Sequence, residues 1–232
     1  MIKTIAFDAD DTLWVNETIF TSTREKIEHL LSAYVTKKSL EKHLNDTEIK
    51  NLNLFGYGIK GFILSTIETC IEITDNSVSS DTIQQVIDLG KDMLKHPVEI
   101  LPHVESTISH LKDNYRLMII TKGDLFDQES KIARSGLADN FDIIEVVSEK
   151  KQDVYSNLFR KYDIKPQELL MVGNSLKSDI LPVCKAGGHA VHIPFHTTWS
   201  HEVPDGEETN GYRYGVLESI RQLPPYLDRM IR

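Results

Sequence analysis

Cysteine is almost missing from this chain: Cys70 and Cys184 are the only two among 232 residues. They lie far apart and form no metal-like spacing, so a disulfide framework and a thiolate metal site are both excluded, and free thiols in a reducing compartment are expected. No apolar stretch approaches the ~20 residues of a membrane helix. Internal repeats and low-complexity tracts are absent. A basic surplus is absent too: 26 Lys and Arg face 35 Asp and Glu, a formal net charge of -9. Such a surface repels phosphate backbones and anionic lipid, so neither nucleic acid nor a membrane is the expected partner. His189, His192, His196 and His201 crowd one region, yet no HExxH spacing exists and no zinc site is expected. No leader separates Met1 from the apolar run Ile2–Phe7, so a cytoplasmic enzyme is expected.

What is present suits an ordinary globular protein, with 40% hydrophobic and 26% charged residues. The length permits one large domain or two unequal ones. Ile2–Phe7 is predicted as a buried strand. A long helical region follows. Ile19, Phe20, Ile27, Leu30, Leu31 and Tyr34 form one stripe at helical spacing. Ile59, Phe62, Ile63, Ile67 and Ile71 form a second, and Ile83, Val86, Ile87, Met93 and Leu94 a third. After Pro97 and Pro102 the pattern changes. Strands are predicted at 117–120, 143–147, 169–172 and 190–193, with helices at 104–111, 129–133, 154–162 and 180–186. Continuous apolar strands alternating with helices imply an α/β fold, a Rossmann-like three-layer core with a mostly parallel sheet. The helical block reads as an inserted cap, giving a core of 1–14 with 99–232 and a cap of 15–98.

Candidate chemistry sits at the strand ends, where ligands bind in open α/β sheets. Phe7-Asp8-Ala9-Asp10-Asp11-Thr12-Leu13 clusters three acids at the end of the first strand. Two carboxylates aimed at one point repel unless a cation joins them, and magnesium prefers such oxygen ligands. An acidic turn that merely caps the next segment is the plain alternative. Thr121-Lys122-Gly123-Asp124 ends the second strand, with a hydroxyl and backbone N–H groups able to hold a phosphate oxygen. Ser148-Glu149-Lys150-Lys151 ends the third, where a lysine could neutralise phosphate. Gly173-Asn174-Ser175-Leu176-Lys177-Ser178-Asp179 ends the fourth and adds an amide oxygen and a carboxylate.

Taken in order, these four segments resemble the haloacid dehalogenase (HAD) superfamily, which is mostly phosphatases. Asp8 to Thr12 match its first motif, Asp-x-Asp-x-Thr; Thr121 matches the second, Lys150 or Lys151 the third, and Asp179 the fourth. The insert is placed like the family's first-type cap. The resemblance implies a Mg2+-dependent phosphomonoester hydrolase acting on a small-molecule phosphate ester through an aspartyl-phosphate. It implies Asp8 as nucleophile and Asp10 as the acid that protonates the leaving oxygen and then activates water, with Thr121 and Lys150 completing the catalytic set. Thr12, Thr121, Lys122, Gly123 and Lys150 would bind substrate. Asp8, the Asp10 carbonyl, Asn174 and Asp179 would hold the metal. Many members carry aspartate where Asn174 stands. Tyr155, in the following helix, favours Lys150 over Lys151 as the third-motif lysine.

Other readings stand beside this one. Dehalogenases of the family lack the second aspartate, and its sugar phosphomutases have glycine where Thr12 stands; a non-catalytic phospho-ligand-binding protein is a third possibility. Gly56-Tyr57-Gly58-Ile59-Lys60-Gly61 fits the dinucleotide fingerprint by letter, but helical patterns rather than a strand flank it. It reads as a loop of the cap, where Lys60 could meet an anionic substrate group. The particular ester and the oligomeric state are not legible.

Overall fold

The computed structural model describes residues 1–203 and 211–231. The chain forms two compact units, Met1–Glu17 with Val98–Arg232, and Thr18–Pro97. In the first, β1 (Thr4–Phe7), β2 (Arg116–Lys122), β3 (Ile143–Val147), β4 (Leu169–Gly173), β5 (His189–His192) and β6 (Gly215–Val216) make one sheet. Its order is β3-β2-β1-β4-β5-β6, and every neighbouring pair is parallel. Phe7 lies opposite Ile119 on one side and Val172 on the other. The carboxyl ends of β1, β2 and β4 therefore lie along one edge of the sheet, with β2 running on past Phe7 to Lys122 and β4 to Gly173.

The apolar runs are continuous because both faces of the sheet are covered. Ile5, Phe7, Leu117, Ile119, Leu170 and Val172 share one core with α5 (Val104–Leu111) and α9 (Leu223–Ile231). Ala6, Met118, Ile120 and Met171 share the other with α7 (Gln152–Lys161) and α8 (Leu181–Lys185). Successive strand residues thus face opposite layers, as a period of two requires. Each fully buried Leu, Ile or Phe contributes ~1.5–3 kcal/mol. This is the expected three-layer α/β core. α6 (Leu125–Arg134) follows β2 and anchors through Ile132. Cys70 and Cys184 are free thiols. Among the described residues no helix is long and apolar enough to cross a membrane.

The second unit holds α2 (Lys37–Phe55), α3 (Ile59–Ile73), α4 (Ser80–Lys95) and nearly all of α1 (Glu17–Leu31). Ile27, Leu31, Leu40, Leu44, Phe62, Ile63, Val86 and Met93 form its core. The three apolar stripes correspond to α1, α3 and α4. No stripe announces α2, because its buried face includes Thr47, Glu48 and Asn51 beside Leu40 and Leu44. These polar groups are paired: Asn51 Nδ2 donates to Ser65 Oγ at 3.2 Å and Glu68 Oε2 at 2.6 Å. Gly56-Tyr57-Gly58 of the glycine-rich fingerprint make the turn between α2 and α3, while Ile59-Lys60-Gly61 open α3, so Lys60 is helical rather than in a loop; the segment follows no strand, and a dinucleotide cradle is absent there.

α3 and α4 approach closely at Gly90, where a Cβ would stand 2.6 Å from Ile63 Cγ1. Gly90→Val should therefore lower unfolding free energy by about 1–3 kcal/mol. Much of that loss should return in the Gly90→Val/Ile63→Ala pair. Urea unfolding of the single and double variants measures both, and simple additivity would exclude the contact.

Candidate active site

β1 ends at Phe7, but Asp8 stays pinned to the sheet because its N–H donates to the Val172 carbonyl at 2.9 Å. The chain then winds tightly. The Ala9 carbonyl accepts from the N–H groups of Thr12, Leu13 and Trp14, and the Asp11 N–H donates to the Trp14 carbonyl at 2.7 Å. Asp11 takes a left-handed conformation (φ 60), which aspartate tolerates better than most residues. Its buried carboxylate caps the next segment, accepting from the N–H of Asn16 at 2.8 Å and of Glu17 at 3.0 Å. Trp14 then pairs with Ile100, where the chain returns from the helical insertion.

The winding brings Asp8 to Lys150. Lys150 Nζ lies 2.5 Å from Asp8 Oδ1 and 2.7 Å from Asp179 Oδ1. All three residues are buried, Lys150 and Asp179 at 2% and 1% exposure. Burial pushes the Asp8 carboxyl upward; Lys150 opposes this, and Asp179 and Asp10 add to it. Burial alone would lower the Lys150 ammonium, but Asp179 and Asp8 outweigh it and raise it, so Lys150 stays charged. One ammonium thus serves two buried carboxylates. Lys151, the alternative third-motif lysine, begins α7 and is exposed.

The fourth-motif loop is built around Asp179. A Cβ at Gly173 would collide with the Asp179 carboxylate, so β4 must end on glycine for that side chain to fold back. Asp179 Oδ2 then accepts the Ser175 N–H at 3.0 Å. Leu176–Ile180 forms a widened π turn capped by Ser175, a local form common at functional sites. Asn174 Oδ1 is reached by the Thr12 hydroxyl at 3.3 Å, and the same hydroxyl lies 3.2 Å from Asp8 Oδ2. Thr121 is buried at the carboxyl end of β2, followed by Lys122 and Gly123. Lys60 belongs to the other unit, as the second residue of α3.

Asp10 has surroundings of its own. Trp14 Nε1 donates to its Oδ1 at 2.7 Å and Gln128 Nε2 to its Oδ2 at 2.8 Å. Lys131 Nζ reaches both oxygens, at 2.8 and 2.9 Å. Lys122 is also engaged, by Ser178 Oγ at 2.9 Å and by the carboxylate of Glu202. Glu202 further accepts from Ser175 Oγ at 2.7 Å and Ser178 Oγ at 2.6 Å. Burial would raise the Glu202 carboxyl, but Lys122 and the two hydroxyls outweigh it and hold it at about 2. The sequence reading missed Lys131, Gln128 and Glu202. Gln128 and Lys131 lie three apart on the helix after the second motif, a spacing that puts them on one face. No local signal says that this face meets the end of β1.

The arrangement fits a hard divalent cation. Asp8, Asp179, the Asn174 amide and the Asp10 peptide carbonyl offer only oxygen, the donor set magnesium prefers. One ammonium does not balance the two buried carboxylates beside it, while Asp10 is paired with Lys131. Among the described residues no three His, Cys, Asp or Glu side chains form a metal-holding group.

A family model described as haloacid dehalogenase-like hydrolase matches residues 2–187. Glyceraldehyde 3-phosphate phosphatase from Methanothermobacter thermautotrophicus is 33% identical over 132 residues, 54% of this chain and 58% of that protein's length. Human N-acylneuraminate-9-phosphatase is 23% identical over 242 residues, covering 97% of this chain and 94% of its own. The crystal structure of a haloacid dehalogenase-like family hydrolase from Xanthomonas campestris superposes with a TM-score of 0.88 at 35% identity, covering 99% of this chain and 91% of that one.

One stability prediction follows from Asp11. Burial, with Asp10 adding to it and the Asn16 and Glu17 N–H groups opposing, raises its carboxyl from 3.8 to about 8. The folded state then holds this proton more tightly than the unfolded chain, so the contribution is full below about pH 4 and is lost as pH rises toward 8. Asp11→Asn keeps an acceptor for both N–H groups and removes the ionisation. In metal-free buffer its unfolding free energy, minus that of the parent, should grow between pH 4 and 8 by an amount on the order of a few kcal/mol. A pH-independent difference in urea unfolding would contradict the assignment.

Proposed function

The chain belongs to the haloacid dehalogenase-like hydrolases, and from that premise we propose that it is a magnesium-dependent phosphatase of small phosphorylated metabolites working through an aspartyl-phosphate on Asp8. The observation that carries this reading is the buried ammonium of Lys150 between Asp8 and Asp179, with a separately held second acid, Asp10, two residues along the same loop. Both curated relatives described above are phosphatases, and their names differ in substrate.

In the proposed reaction an Asp8 carboxylate oxygen attacks phosphorus. The P–O bond to the leaving group breaks, and Asp10, which enters this step in its protonated form with one of its donors displaced, gives its proton to that oxygen, releasing an alcohol. Asp10, now a base, takes a proton from water as the water oxygen attacks phosphorus. The bond to Asp8 breaks, freeing phosphate and restoring the Asp8 carboxylate. Dividing the displacement into two steps is what a carboxylate nucleophile offers. Lys150 keeps Asp8 oriented and counters its charge; Thr12 fixes its second oxygen. The Thr121 hydroxyl and the N–H groups after it would hold phosphate oxygens. Magnesium on Asp8, Asp179, Asn174 and the Asp10 carbonyl would supply charge neutralisation between two approaching anions. Choice of ester would rest with residues outside this cluster, Lys60 among the candidates.

A phosphomonoester panel with and without metal tests the reading. Magnesium should support phosphate release and chelator should abolish it. Calcium should support it poorly, because calcium takes more ligands and would bind both Asp8 oxygens. Full activity in chelator would refute the metal requirement.

The Asp8→Asn variant should neither turn over nor become labelled by phosphate. Asp10→Asn should still give a burst with a 4-nitrophenyl ester, followed by turnover reduced about 10²–10⁴-fold. Asp8→Asn at near-parent rate would remove the mechanism.

A further inference from the structure

Every acceptor position of Asp10 is taken by the chain itself. An ionised carboxylate has about four lone-pair sites. Oδ1 receives Trp14 Nε1 and Lys131 Nζ; Oδ2 receives Gln128 Nε2 and Lys131 Nζ. Lys131 is used up as well. Its third contact is Asn16 Oδ1 at 3.1 Å, so three protons meet three acceptors, with Asp127 Oδ2 3.8 Å away. Trp14 is fully buried in the sheet's core and cannot yield. The donors on α6 are the adjustable ones.

Gln128 carries a second, independent signal. It is 2% exposed, and its Oε1 has no hydrogen-bond partner among the described residues. A buried unsatisfied acceptor is costly, and an amide with a purely structural task would avoid it. Rotation of the amide exchanges its two ends, at the loss of the 3.4 Å hydrogen bond that Nε2 donates to the Lys122 carbonyl. In the other orientation Oε1 would accept a hydrogen bond from a protonated Asp10 or from a water at Asp10.

We propose that Lys131 and Gln128 are positioning residues that aim Asp10, holding its carboxylate in a saturated resting arrangement and releasing one oxygen when substrate arrives. This rests on the phosphatase reading above. Lys131 acts only through Asp10, which touches the reacting oxygen; it is not a nucleophile or an acid itself. Its loss would leave attack by Asp8 intact and impair the two events that need Asp10, protonation of a poor leaving group and activation of water.

The test is kinetic, on the full chain with magnesium. For Lys131→Met, turnover of an alkyl phosphate should fall about a hundredfold, while the burst with 4-nitrophenyl phosphate stays within about tenfold of the parent and phosphoenzyme accumulates. Lys131→Arg, which restores a cationic donor, should recover part of the alkyl-ester rate, and Gln128→Leu should lose about tenfold, as for one hydrogen bond. The decisive comparison is a cycle: adding Lys131→Met to Asp10→Asn should cost almost nothing further, because the first change has no target left. Equal losses on both esters, or full additivity in the cycle at unchanged unfolding midpoint, would overturn the proposal and leave the phosphatase reading standing. A parent enzyme that formed no Asp8-dependent phosphoenzyme would overturn both.

Discussion

The buried ammonium of Lys150, shared by Asp8 and Asp179, is the contact on which the site's architecture depends. Removing ions from water costs several kcal/mol each, and only close partners offset it. Lys150 is held within 2.7 Å of both carboxylates at 2% exposure. Deleting Lys150 would leave two uncompensated carboxylates in the interior. Much local structure follows from satisfying this triad. β4 must end in glycine so that Asp179 can fold back, the π turn must widen to bring Asp179 round, and Asp8 must remain tied to β4 through its own N–H. Tyr155, fully buried on α7, closes the far side by donating to the Ser178 carbonyl at 3.0 Å.

Three acids in one short loop are kept apart by what surrounds each. Asp8 faces an ammonium and another carboxylate. Asp10 faces an indole, an amide and a second ammonium. Asp11, buried, caps the backbone where the chain departs for the helical unit. The left-handed turn at Asp11 makes this divergence possible, since a regular strand would alternate the three side chains between two faces only. Acids of the same type thereby acquire different surroundings from position alone, which is what the proposed division between nucleophile and proton carrier requires.

The helical unit follows different physics. Its core is apolar around Phe62, Ile63 and Val86, yet α2 and α3 also bury a polar set of Asn51, Ser65 and Glu48. Paired polar groups of this kind give little net stability but fix register, since a slipped helix would leave them unsatisfied. The cluster of Asp8, Lys150 and Asp179 belongs wholly to the sheet-containing unit.

β1, β2 and β4 were legible because each carries a continuous apolar run, the mark of burial on both faces, whereas β3, with Glu145, and β5, between His189 and His192, were read from shorter apolar stretches. β3 was read to the residue, and β1, β2, β4 and β5 to within a residue or two. The same reading named Asp8, Thr121, Lys150 and Asn174, because each stands at or shortly after the carboxyl end of a strand. α2 had no stripe to read, and β6, at two residues, is too short to carry a pattern. Lys131, Gln128 and Glu202 were invisible for another reason. Their partners are distant: Gln128 meets Asp10 across 118 positions, Lys131 meets it across 121, and Glu202 meets Lys122 across 80. Local pattern determined which segments become strands and which residues follow them, because periodicity and turn chemistry act over a few neighbours. Which of those residues touch was decided by the sheet order β3-β2-β1-β4-β5-β6, since only pairing across the sheet sets the end of β1 between β2 and β4.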